Sequence, residues 1–378
     1  MSLDISKHEK YFSLCFQSFP AKAEGEDTNK LALIYFVLYG LDIIGKLNLT
    51  TEDQENYSEY IYSHLIDSEL TRQLDILSFR PTNTFKLNNE YDLPNLSATF
   101  FALINLLILK SDYSKKLNRE SIMKFIKKCQ REDGSFAPVL DNNGEPFGET
   151  DLRHCYLAIC IRKLLKYDEA SDKTNDIDIK KCINFIESKV NYNGGLSSNK
   201  YTESHSGLTF VGLASLKLLN YKFDSDWVEL TKNWLVHRQV DYPDQLYSMS
   251  EDSSFDNYSF YDLEDIGGFN GRENKFSDTC YSWWVTASLY IIGGDHLFNV
   301  DKLIDYLLTQ TQNHLLGGFG KSKDVFPDPL HSFLGLASLS LWKHKESANF
   351  DGSLALQNVN ELLVITESLM NFLNNIKW

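Results

Sequence analysis

One phrase recurs along the chain and limits what it can fold into. It reads GLASLKLL at Gly212 to Leu219, TASLYII at Thr286 to Ile292 and GLASLSLW at Gly335 to Trp342. A glycine-rich turn precedes each copy: Gly194-Gly195-Leu196, Gly267-Gly268-Phe269 and Gly317-Gly318-Phe319. A fourth copy, ICIRKLL at Ile159 to Leu165, follows Asp133-Gly134-Ser135-Phe136, and LINLLIL (Leu103 to Leu109) and LYGLDII (Leu38 to Ile44) are weaker ones. Tyr39, Ile104, Cys160, Ala214, Ala287 and Ala337 mark equivalent positions 50 to 73 residues apart, room for two helices and their turns. The marked segments are apolar almost all round, as buried inner helices are. Between them run charged amphipathic stretches such as Glu120 to Gln130 and Ile179 to Lys189, with apolar residues at three- and four-residue spacing. Six inner and six outer helices predict an all-α fold, an α/α toroid closed into a barrel. An open superhelix would need polar end caps, and the first and last inner copies are as apolar as the middle ones. Residues 1–378 then form one domain.

The 378 residues are 43% hydrophobic, enough for a large core, and the net charge of −15 argues against a nucleic-acid partner, which needs a basic face. The acid is partly local: residues 241–265 hold eight carboxylates and no Lys or Arg, and read as a surface insertion. No apolar run is long and unbroken enough to span a bilayer, and Met1 to Lys10 lacks an apolar signal segment. The six cysteines form no CxxC pair, which suits a reducing compartment. A cytoplasmic protein without stable membrane insertion is expected.

The reactive residues keep step with the repeat. His205 and Asp278 stand nine residues before their marked positions, Arg153 and Cys280 seven, and Tyr281 and His331 six. Four repeats thus present titratable groups at one end of the inner helices. Asp278 and Cys280, two apart, do not share a face inside a helix but converge at a helix entrance, where Asp caps well. Asp278, Cys280 and His331 make a carboxylate, thiolate and imidazole set that suits zinc with a fourth position open. Arg272 and Lys275, in the turn before Asp278, join His205 and Tyr281 as candidates for a phosphorylated leaving group. A capping Asp, a buried Cys, a core His and a solvated basic turn are the plainer alternatives. The shared register weighs against them.

Three segments carry a specific resemblance: GRENKFSDTCYSWW (Gly271 to Trp284), ESHSG (Glu203 to Gly207) and DPLH (Asp328 to His331) are similar to the β subunits of protein prenyltransferases. The similarity spans nearly the whole chain. It implies an α/α barrel paired with a helical-repeat α subunit, attaching an isoprenoid to a cysteine near a protein's C-terminus. By that resemblance Asp278, Cys280 and His331 hold one zinc ion whose fourth ligand is the substrate thiolate. His205, Arg272, Lys275 and Tyr281 hold the diphosphate, Glu149 and Arg153 help hold the peptide end, and Ala32, Phe36, Leu330 and Leu334 line the isoprenoid and peptide cavity.

Among the three prenyltransferase classes, the resemblance favours type I geranylgeranyltransferase. Ala32 stands where farnesyltransferase has a Trp, and Leu334 where it has a Tyr; both choices deepen the cavity for geranylgeranyl diphosphate. Lys321 matches a type I lysine that replaces a magnesium-binding Asp, so magnesium is not expected to be required. The N-terminal stretch Lys7 to Phe12 through Gly40-Leu41-Asp42 also resembles type I, whereas Ser282-Trp283-Trp284-Val285 is similar to the Rab-type enzyme. Asn95 and Ser97 depart from the His and Ala of the type I pattern, which bears on the choice of C-terminal residue. The implied partners are Rho/Rac/Rap-like small GTPases ending in Cys-aliphatic-aliphatic-Leu. A terpene cyclase or glycosidase on the same fold would need a magnesium-binding carboxylate run or paired carboxylates, and neither stands in register. A non-catalytic toroidal scaffold leaves the zinc set without a task.

Overall fold

The computed structural model describes residues 2–19, 21–87, 91–199, 201–242, 262–345 and 350–378. Helices come in outer–inner pairs. The first pair is α1 (Ile5–Gln17) and α2 (Lys30–Ile43). The second is α3 (Thr51–Tyr62), followed by a short α4 (Glu69–Leu74), and α5 (Leu96–Ile108). Then come α6 (Arg119–Cys129) with α7 (Leu152–Leu164), α8 (Ile179–Glu187) with α9 (Ser206–Leu218), and α10 (Asp226–Val236) with α11 (Thr279–Ile291). The last pair is α12 (Val300–Asp305), which runs on as a π-helical turn over Tyr306–Thr311, and α13 (Pro329–Trp342). Each inner helix packs on the next, from α2 through α5, α7, α9 and α11 to α13, and α13 returns to α2. The expected closed α/α toroid is borne out, and all six marked positions fall in inner helices.

The register has a physical cause. Asn95, Asp151, His205, Asp278 and Asp328 all stand nine residues before a marked position. Each caps its inner helix, accepting the backbone N–H of Ala98, Arg153, Gly207, Cys280 and His331 in turn. Such caps satisfy first-turn donors that have no partner within the helix. Five inner helices therefore start at one level, and the residues just past the caps share one mouth.

Repeats join through their turns. Gly134 (φ +90°) sits so close to α8 that a Cβ there would lie 2.2 Å from the Lys181 carbonyl oxygen, so only glycine fits. Gly194 and Gly267 press likewise on α10 and α12. Gly317 (φ +80°) presses on Lys7 of α1 at the same 2.2 Å, which closes the ring between the last repeat and the first. A glutamine clamp recurs at three joints. Gln130 accepts from Asp178 N (2.7 Å) and donates to Asp178 O (3.0 Å), and Gln239 does the same with Asn299. Gln312 accepts from Asp4 N (3.3 Å) and donates to Ser2 O (3.0 Å) at the closing joint.

The far end of the barrel is filled by the segment after α13. The Tyr35 hydroxyl donates to Val364 O (3.1 Å) and that of Tyr156 to Leu362 O (2.6 Å). This segment holds a two-stranded ribbon, Val359–Asn360 with Ile365–Thr366, and ends in α14 (Glu367–Asn375). The centre of the acidic insertion, 243–261, lies outside the described residues; at its borders Asp241 pairs with Lys302 (2.7 Å) and Asp265 accepts from Ser277 N. Among the described residues no helix is long and apolar enough to cross a membrane.

His8 locks the closing joint. It is fully buried, accepts from Gly318 N at Nδ1 (3.0 Å), and donates from Nε2 to Gln312 Oε1 (3.0 Å). Burial pulls its pKa from 6.5 to about 4, against the favourable Gln312 bond and Asp4 charge. The unfolded chain therefore takes up this proton first as pH falls, so the stability His8 contributes is complete above pH 6.5 and lost toward pH 4. Denaturant titrations across that window are expected to show a loss on the order of 3 kcal/mol from this residue. A His8→Gln variant should have a shallower pH slope; an unchanged slope would assign the acid sensitivity elsewhere.

Candidate active site

Asp278, the buried cap of α11, Cys280 in its first turn and His331 in the first turn of α13 meet at the mouth. Their ligand atoms all lie within 4.8 Å of one another, and His331 Nε2 is 3.1 Å from Asp278 Oδ1. An ion bonded at about 2.0–2.3 Å needs donors of these types roughly 3–4 Å apart, so the set fits a transition metal. The His331 ring is aimed from behind: Nδ1 lies 2.5 Å from Asp328 Oδ2, while Asp328 Oδ1 accepts the His331 N–H. That bond leaves Nε2 facing Asp278 and Cys280, the arrangement in which a carboxylate orients a metal-bound imidazole.

The charges show what the triad lacks. Burial opposes charge on His331, but its bonds to Asp278 and Asp328 outweigh this and raise it to about 9. Burial also opposes the Asp278 carboxylate, and the bond to His331 overrides it and keeps Asp278 low. The Cys280 thiol is pushed far up by burial and by Asp278. Only a cation in the triad lets that thiol serve as thiolate. Lys321, largely exposed, stands with Nζ 3.9 Å from Asp278 Oδ2.

Beside the triad, His205 Nδ1 accepts from Gly207 and Leu208 N–H as the α9 cap. Burial and the nearby Arg272 lower its pKa, so the ring is neutral with its proton on Nε2. Nε2 is 3.1 Å from the Tyr281 hydroxyl, to which it donates. Tyr281, raised to about 12 by burial, keeps its own O–H free to donate onward. Gly271 makes room for the ring, since a Cβ there would stand 2.1 Å from Tyr281. Arg272 reaches Glu203 (3.3 Å). Its turn is anchored by Glu273, which accepts from Trp234 Nε1 (2.6 Å) and faces Arg238 at 3.7 Å. Lys275 is exposed and lines a separate hollow of about 250 Å³ with Arg238 and Asn270. Arg272, His205 and Tyr281 are thus brought together; Lys275 reaches the outer side of the same turn.

Below the mouth lies a cavity of about 700 Å³. Phe36, Arg153, Leu330 and Leu334, singled out in the sequence, line it with Tyr35, Phe101, Tyr156, Trp284 and Phe333. Ser97 lines it too, and Val364 closes its floor, with φ +57° that is rare for a β-branched residue. Ala32 lies one helical turn from Phe36, is half-buried, and is not among the lining residues. Glu149 is exposed in the turn before the Asp151 cap. Asn95 accepts from Ala98 N as the α5 cap. Arg153 is bound by Asp151 (2.8 Å). Asp328, His154 and Val364 also belong to the site, although the sequence alone assigns them no part. Asp328 had a signal, its place in the cap register. His154 lines the cavity with Nδ1 buried and unpartnered among the described residues.

With this geometry in hand, the family is clear. Residues 3–365 match the prenyltransferase alpha-alpha toroid domain, and the chain belongs to that family. Geranylgeranyl transferase type-1 subunit beta of Dictyostelium discoideum is 29% identical over 89% of this chain and 90% of its own. The Arabidopsis thaliana subunit of the same name is 29% identical over 90% and 85%. The solved structure of Candida albicans protein geranylgeranyltransferase-I complexed with GGPP is 47% identical, spans 100% of both chains and superposes with a TM-score of 0.89. The resemblance to protein prenyltransferase β subunits, nearest the type I geranylgeranyl class, is borne out.

The Asp328–His331 bond yields a test. An Asp328→Asn variant should keep its fold but bind a divalent metal, with Zn²⁺ as the probe, about 10–100-fold more weakly in chelator competition. Unchanged affinity would reduce Asp328 to a helix cap.

Proposed function

We propose that the chain, as a single toroidal domain over residues 1–378, is the catalytic β subunit of a cytoplasmic protein geranylgeranyltransferase of type I. It moves geranylgeranyl from its diphosphate to the cysteine of a protein ending in Cys-aliphatic-aliphatic-Leu, of the Rho/Rac/Rap small GTPase kind. A helical-repeat α subunit completes the heterodimer. The observation that carries this reading is the metal-ligand triad set beside the His205–Tyr281 pair, above one deep aromatic cavity.

Asp278, Cys280 and His331 would hold zinc. When bound, it would lower the pKa of an incoming peptide thiol so that the thiolate is present at neutral pH. The cavity, within the range of about 300–1,000 Å³ usual for small-molecule sites, takes the isoprenoid with its C1 toward the mouth. The peptide sulfur bonds to C1 as the C1–O bond breaks, and the electron pair leaves with the diphosphate. The thiol proton passes to solvent. Tyr281 donates to a diphosphate oxygen, held in position by His205 Nε2–H, and this bond strengthens as charge collects on the leaving group. Arg272 and Lys321 add fixed positive charge, with Lys275 further out. Lys321 supports a reaction without magnesium, since its ammonium lies within reach of both Asp278 and the mouth. Arg153, Ser97 and His154 line the cavity where the peptide's last residue would sit.

Two outcomes follow for the purified heterodimer. With a Leu-ending peptide, labelled geranylgeranyl should transfer at least about tenfold better than farnesyl, as pocket fit over one isoprene allows, and magnesium should leave the rate unchanged. Preference for farnesyl and a Met- or Ser-ending peptide would favour the farnesyl class; transfer only to an escorted Rab-like protein would favour the Rab type. Tyr281→Phe should lower kcat about 100-fold with a smaller change in KM. A raised KM with kcat unchanged would make Tyr281 a binding group alone.

A further inference from the structure

The three metal ligands come from the two last inner helices, and both helices are anchored on a single turn, Gly317 to Lys321. On the α13 side, Phe319 N donates to Ser332 Oγ (2.9 Å) and Asp328 N to Phe319 O (3.3 Å), bracketing His331. On the α11 side, Thr279 N donates to Lys321 O (2.9 Å) and Thr279 Oγ1 to Gly320 O (2.6 Å), between Asp278 and Cys280. The turn itself is seated by α1. His8 takes the Gly318 N–H and stacks on Phe319 with ring centroids 4.9 Å apart, and Gly317 lies against Lys7. At the matching positions, where Gly134 and Gly267 press on their outer helices, Cys182 and Leu303 follow the contact and offer no imidazole. The joint that chain continuity does not hold is the one given a buried, doubly bonded histidine.

We propose that His8 is a positioning residue of the metal site: by locking the N-terminal helix to the Gly317–Lys321 turn, it sets the spacing of Asp278, Cys280 and His331. The inference rests on the zinc reading above. It requires α1 closure and metal binding to favour one another, because a favourable coupling between two sites is reciprocal.

The test uses the full chain co-purified with its α subunit, with zinc affinity read by chelator competition and folding read independently by circular dichroism. A folded His8→Leu variant should bind zinc about 10–100-fold more weakly. His8→Gln, which offers an acceptor to Gly318, should recover most of that loss. In the unaltered protein, loading zinc should slow amide hydrogen exchange in α1 and at Gly318, a readout that stands even where His8→Leu does not fold. Wild-type zinc affinity in folded His8→Leu, or α1 exchange indifferent to zinc, overturns the proposal. A wild-type protein that binds no zinc fails at the zinc reading itself and takes the inference with it.

Discussion

The contact between Gly317 and Lys7, with His8 bonded to the neighbouring glycine, is the one on which the mouth of the barrel depends. Six helical pairs bury a continuous core only if each finds a neighbour on both sides. Five of the six joints are made between repeats consecutive in sequence. The sixth brings together segments some three hundred residues apart, and closing so long a loop costs entropy that chain continuity does not offset. A buried imidazole with two backbone or side-chain bonds, a stacked Phe319 and a glutamine clamp are concentrated there.

Closure also explains why the chemistry sits where it does. Helix entrances carry unpaired N–H groups and a partial positive charge, and a ring of parallel inner helices points these entrances into one bowl. Residues that cap the helices are therefore already aimed at the mouth. Asp278 and His205 each cap a helix and also face the site, so one side chain meets a structural and a chemical demand. The acidic total of the chain makes the local cations more telling. Lys321 stands beside the buried Asp278 carboxylate, and Arg272 pairs with Glu203 at the rim of the same mouth.

Much of this was legible in the sequence, for identifiable reasons. A repeat phrase with glycine turns reports helix pairs directly, because buried inner helices need small or apolar residues and close turns need glycine. The cap register found Asp278, Cys280 and His331 together. The same register also stood at Asp328, which was read only as part of a motif. What the sequence hid is what arises from packing between distant segments. Nothing near His8 announces that it meets Gly318. Val364 gives no sign that it floors the cavity, because its role comes from the tail folding back under Tyr35. The π-helical turn at Tyr306–Thr311 lies in a stretch whose apolar pattern reads as ordinary helix. Ala32 shares the helix of Phe36, and of the two only Phe36 lines the cavity.

The central claim is that Asp278, Cys280 and His331 act together on one zinc ion. X-ray absorption at the zinc edge on the purified heterodimer reads this directly. The account predicts one zinc per chain, with a single sulfur ligand at about 2.3 Å and the remaining ligands nitrogen or oxygen at about 2.0–2.2 Å, and loss of the sulfur shell in Cys280→Ser. A bound zinc without sulfur, or a sulfur shell unchanged in Cys280→Ser, would contradict it.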